Sequence, residues 1–202
     1  LAVAGGTLDL GLFTETVASV TLSGGSLSGG FLNAGSFVLD VATLASVDSV
    51  LGGAATLTKN GAGLAVINSQ NAYTNGTVVN AGTLRLDVSD ALHVTGSLDL
   101  NGGELLLGAT SQRVGLFTLD GGSIGGGTLI ASDYLVKAGT INSVLDGAGS
   151  LVKRGSGTVT LQTGNTYTGG TRLEEGVLLL ANNHALSGTS AVTVSGGELR
   201  LG

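Results

Sequence analysis

The chain has 202 residues, 37 of them glycine, with no proline, cysteine, methionine or tryptophan and a formal charge of −6. Lack of cysteine excludes disulfides and thiolate metal sites, and the 8 basic residues, scattered singly apart from Lys153-Arg154, form no patch for nucleic acid. No apolar run approaches the roughly 20 residues of a membrane-spanning helix, and no basic stretch precedes an apolar one at the N-terminus.

Glycine at more than twice its usual share, set among alternating Val, Leu and Thr without a Gly-X-Y period, is the composition of many short strands joined by tight turns. The absence of proline suits strands whose N–H groups are needed for pairing on both sides. In chain order, Gly5-Gly6-Thr7-Leu8-Asp9-Leu10-Gly11 returns as Gly102-Gly103-Glu104-Leu105-Leu106-Leu107-Gly108, an offset of 97 (5 to 102). Val47 and Val144 keep that offset, whereas Lys59 matches Lys153 and Tyr73 matches Tyr167 at 94 (59 to 153). The first copy therefore has three extra residues, expected at a turn near residues 51–54. Gly196-Gly197-Glu198-Leu199-Arg200-Leu201-Gly202 opens a third copy. The chain thus reads as one segment, 1–202, built of units 1–97 and 98–191 and the start of another at 192–202. Residues 1–11 and 192–202 are expected to run on into further coils, because bare solenoid ends are open sheet edges.

A finer period lies inside each unit: Leu8 and Leu27 are 19 apart, Val66 and Leu86 20, and Leu86 and Leu107 21. Spacings of this size predict an all-β fold, a right-handed parallel β-helix (β-solenoid) of about ten coils, each with three short strands and three turns. At about 4.8 Å per coil the rod would be about 50 Å long. In Leu84-Arg85-Leu86, Leu105-Leu106-Leu107 and Leu199-Arg200-Leu201 the flanking leucines should point inward and the central residues outward. Glycine pairs at 24 and 25, 102 and 103, 121 and 122, and 196 and 197 are expected to supply positive φ at the corners.

The most specific stretch is 149–180. There Gly149, Leu151, Lys153, Gly155, Gly157, Val159, Leu161, Asn165, Tyr167, Gly169, Thr171, Gly176, Leu178 and Leu180 fall on the pattern G-x-L-x-K-x-G-x-G-T-L-x-L-x-G-x-N-x-Y-x-G-x-T-x-x-x-x-G-x-L-x-L, with valine for one leucine. A worn copy at 55–86 keeps Leu57, Lys59, Gly61, Gly63, Asn71, Tyr73, Thr77, Gly82, Leu84 and Leu86, with Asn75 where the pattern has glycine. This pattern resembles the passenger-associated transport repeat of bacterial autotransporters. The resemblance implies a stalk or scaffold segment of a cell-surface or secreted passenger, helping it fold and cross the outer membrane. Its partners would be neighbouring coils of a longer chain and a C-terminal translocator barrel in the same polypeptide. The alternative is an adhesin module, binding host glycans or proteins, or self-associating, through one face.

Read for chemistry, the repeat residues Lys59, Asn71, Tyr73, Gly76 and Thr77, with Lys153, Asn165, Tyr167, Gly170 and Thr171, are structural. Asn is expected in left-handed turns bonded to its own backbone, Tyr packed over the coil with its hydroxyl seeking a partner, and Lys as a solvated turn charge. Gly121-Gly122-Ser123-Ile124-Gly125 spells a nucleophile elbow, but no helix is written after it and the equivalent Gly24-Gly25-Ser26-Leu27-Ser28 breaks the motif. His93 and His184 do not align, and the adjacent Glu174 and Glu175 face opposite ways on a strand. The clustered aspartates of β-helical polysaccharide lyases and the Gly-Gly-x-Gly-x-Asp calcium repeat are missing, so the expectation is no enzyme activity, metal or cofactor. Asn75-Gly76-Thr77 is a glycosylation sequon, read here as a turn.

Overall fold

Short alternating runs can hide their apolar side only by stacking on copies of themselves. The computed structural model describes residues 1–188 and 191–202, and the regular elements in them are 23 β-strands. On the first face Ala2 pairs in parallel with Thr21, Thr21 with Val38, Val38 with Thr58 and Thr58 with Val78. The ladder continues through Asp99, Thr118, Leu135, Val152, Arg172 and Thr193. These are the coils of a parallel β-solenoid, 17 to 21 residues apart, as the periodicity predicts. A second face runs from Thr7–Asp9 to Glu198–Leu201, and a third starts with Thr14–Thr16, Phe31–Asn33 and Val50–Gly52. Midway, Glu104–Leu119, Ser123–Val136 and Gly139–Asp146 run unbroken round the corners. Two coils there, from Thr118 to Leu135 and from Leu135 to Val152, are 17 residues long, which leaves few residues for turns.

The ladder makes each unit five coils, but the three extra residues are not at 51–54. Val47 pairs with Leu27 and Ile67, while Ile141 pairs with Ile124 and Leu161, so Val47 corresponds to Ile141 and not to Val144. Five residues, 40–44, join Leu39 to Ala45 where Lys137 and Ala138 alone join Val136 to Gly139. The first unit has valines at both 47 and 50, three apart, which made the two registers look alike.

Inside, like stacks on like. Ala65, Leu84, Leu105, Ile124, Ile141, Leu161 and Leu180 form one buried column of the second face. Each such leucine or isoleucine contributes roughly 1.5–3 kcal/mol before chain entropy is counted. Leu84 and Leu86 point inward and Arg85 outward, as alternation requires. The second glycine of each pair takes the left-handed corner, as at Gly25 (φ 79), where a Cβ would also press on the backbone of Gly5 and Gly6.

Candidate functional site

The solvated-turn expectation for the two lysines is overturned. In Leu57-Thr58-Lys59 and Leu151-Val152-Lys153 the first and third residues face the same way, so each lysine enters an apolar column: Leu39, Lys59, Val79 and Val136, Lys153, Leu173. Both are fully buried. Lys59 Nζ donates to the carbonyls of Asn60 (2.6 Å) and Gly61 (2.8 Å) in its own turn and Ala81 (3.1 Å) in the next. Lys153 Nζ repeats this with Arg154 (2.8 Å), Gly155 (2.6 Å) and Glu175 (2.9 Å). Three ammonium protons meet three acceptors. Gly82 and Gly176 make the room, since a Cβ on either would lie 2.7 Å from the nitrogen. Burial pushes both lysine pKa values below 10.5, opposed by the charge of Asp40 near Lys59 and of Glu175 near Lys153.

The asparagines also differ from expectation. Among the described residues the non-glycine residue with positive φ is Asp90, so neither Asn71 nor Asn165 is left-handed. Asn71 is buried and bridges coils: its Oδ1 accepts from Leu51 N (2.8 Å) in the coil before, and its Nδ2 donates to Ala91 O (2.8 Å) in the coil after. Asn165 does the same between Leu145 N (2.8 Å) and Ala185 O. Sequence reasoning missed Gln112, also fully buried, whose Oε1 accepts from Ala91 N (2.9 Å) and whose Nε2 donates to Val88 O (2.7 Å). The register makes its first-unit counterpart the exposed Glu15, so comparing the copies gave no signal.

Tyr73 and Tyr167 lie inside the solenoid and not over it. Their hydroxyls pair with Thr77 Oγ1 (2.7 Å) and Thr171 Oγ1 (2.6 Å), threonines that stand in the first-face column between leucines or valines. Gly76 and Gly170 (φ 97 and 91) turn the chain between each Tyr and Thr, and their carbonyls accept from Leu57 N and Leu151 N of the previous coil. The rings continue an aromatic stack, with Phe37 and Tyr73 6.3 Å apart and Tyr134 and Tyr167 6.1 Å apart. Tyr134, not singled out by sequence, is tied to Leu129 O (2.8 Å) and Ala131 N (3.0 Å). Burial raises all three phenol pKa values, that of Tyr134 to about 12.

The ten repeat residues therefore form two equivalent sets in which Lys and Asn bond backbone groups of their own turn and of adjacent coils, and each Tyr bonds the Thr four residues on. Their chemistry is that of a clamp. Ser123, in the elbow-like stretch, begins the strand Ser123–Val136 and is followed by no helix among the described residues.

The two clamped sets, at equivalent places in the two units, make this a repeat-built parallel solenoid, and the comparisons bear on both features. The Passenger-associated-transport-repeat family matches residues 57–86 and 151–180, the stretches that hold both clamps. The chain is 36% identical over 157 residues to the Adhesin BmaC autotransporter of Brucella suis biovar 1 (strain 1330), covering 76% of this chain and 4% of that protein. The two comparisons support an autotransporter passenger domain, exported through the outer membrane to the cell surface or the medium. No solved structure gives a significant match.

Proposed function

We propose that this segment is a scaffold of the passenger, and that its two clamped sets hold newly formed coils in register as the chain emerges through a translocator barrel of the same polypeptide. The observation that carries this is the reach of the clamps. Asn71 bonds one coil back and one coil forward, and Lys59 bonds its own turn and the next. A coil captured in this way cannot slide without breaking buried bonds, and a solenoid grows by nearest-neighbour addition. No catalytic step belongs to this proposal.

The test is export of the full-length passenger carrying Lys59→Met, Lys153→Met, Asn71→Ala and Asn165→Ala, read as surface accessibility to protease over time. A Leu105→Ala passenger, broken in the second-face column that holds neither lysine, is the comparison at matched loss of stability. Slower display of the clamp variant than of the comparison is expected, and equal display would refute a role in export. An adhesive role is the second reading, favoured by the adhesin name of the relative. It would place a host ligand or a second passenger on an outer face.

A further inference from the structure

The outer surface of the second face differs between the units. In the first unit Thr7, Ser26 and Ser46 stand in register along the rod, and their neighbours Asp48 and Asn68 close the row by themselves. Thr7 Oγ1 pairs with Ser26 Oγ (2.9 Å), Ser46 Oγ donates to Asp48 (2.8 Å), and Asn68 Nδ2 donates to Ser46 Oγ (3.1 Å) and Asp48 (2.8 Å). The same places in the second unit hold Glu104, Ser123, Thr140, Asn142 and Gln162. Among the described residues the side chains of Ser123, Thr140, Asn142 and Gln162 make no hydrogen bond to protein, and Asn142 and Gln162 are exposed. Gly125 replaces Ser28 and Leu106 replaces Asp9, which lowers the floor and makes part of it apolar. The result is a groove of about 490 Å³, within the size range of small-ligand sites.

We propose that this groove binds a neutral saccharide. The strands beneath it pair on both sides, so their backbone groups are already used and an added peptide strand finds no edge. Recognition falls to the two amides and two hydroxyls, each both donor and acceptor, which suit the vicinal hydroxyls of a sugar ring. Leu106 offers an apolar surface to a ring face. Arg85 is held by two bonds to Asp87 (2.8 Å each), which leaves Glu104 as the uncompensated charge and disfavours acidic ligands. No aromatic side chain lines the groove, so affinity is weak and the site acts through many copies on one surface.

The probes are lactose, cellobiose and maltose at millimolar concentration, with sialylated lactose as the acidic comparison, and the readout is the NMR shift of the Asn142 and Gln162 side-chain amides. At least one neutral probe should move both amides, and more than the acidic one does. The triple variant Gly125→Ser, Asn142→Asp, Gln162→Asn places first-unit residues in the groove. A Cβ at 125 meets only Leu106 at 3.5 Å, so the fold should be kept, which an unchanged melting temperature verifies. Affinity at least tenfold weaker in that variant, followed by the whole-chain saturation-transfer signal, supports the site. No amide shift with any neutral probe, equal or stronger binding of the acidic one, or undiminished binding by the triple variant would overturn it. None of these results bears on export.

Discussion

An ammonium in a column of leucines is held by carbonyl dipoles and not by a counter-ion. Replacing Lys153 with methionine keeps the length and apolar stem but leaves three carbonyls without their donor. The expected loss is about 2–4 kcal/mol in urea unfolding, although methionine is the more apolar residue. The opposite case is Ser143, whose buried hydroxyl has no partner among the described residues. Ser143→Ala should raise stability by about 1 kcal/mol. A Lys153→Met protein as stable as the parent would show that the column tolerates the charge and does not use it.

At the scale of the repeat, the tyrosine and lysine respond to alkali in opposite directions. The folded lysines have pKa values below 10.5, so between those values and 10.5 the folded chain binds fewer protons and stability rises with pH. The folded tyrosines have values above 10.0, so beyond pH 10 the unfolded chain loses its protons first and stability falls. For Tyr134 the fall ends near pH 12 and amounts to about 3 kcal/mol. Above pH 10.5 the tyrosine effect stands alone. The tyrosinate absorbance and the loss of β-sheet circular dichroism should therefore rise together in one cooperative step. Phenol ionisation in a chain that stays folded would contradict the burial of these rings.

Over the whole molecule, each coil contacts its neighbours, so the fold tolerates changes of coil length at corners and not in strands. The two units already differ by three residues at 40–44. Inserting Val-Ala-Thr between Lys137 and Ala138 should cost about 1 kcal/mol or less. One residue inserted within Thr171–Leu173 reverses the faces of the strand beyond it, turning either the tyrosine's partner or a core leucine to solvent, and should cost about 3 kcal/mol or more. Urea midpoints of the two insertions compare them directly, and equal costs would sink the distinction between corner and strand.

Alternation and the period of about 20 determined the solenoid, its coil number, its inward leucines and its left-handed glycine corners, because each depends on neighbours in sequence. The repeat pattern likewise named the residues of the clamps. Their roles were decided only by stacking. The inward direction of Lys59 was legible from Leu57 two residues before, but a charge there makes sense only once Gly82 and the carbonyl of Ala81 arrive from the next coil. Asn71 looks like a turn residue until Leu51 and Ala91 stand on either side of it, 20 residues away each way. Gln112 stands where the first unit has Glu15 and Gly125 where it has Ser28, so comparing the copies shows a difference there and not a role, while Tyr134 stands where it has Phe37, an aromatic place whose hydroxyl partners only the fold supplies. Contacts between residues a coil apart are settled by register, which is a property of the folded rod.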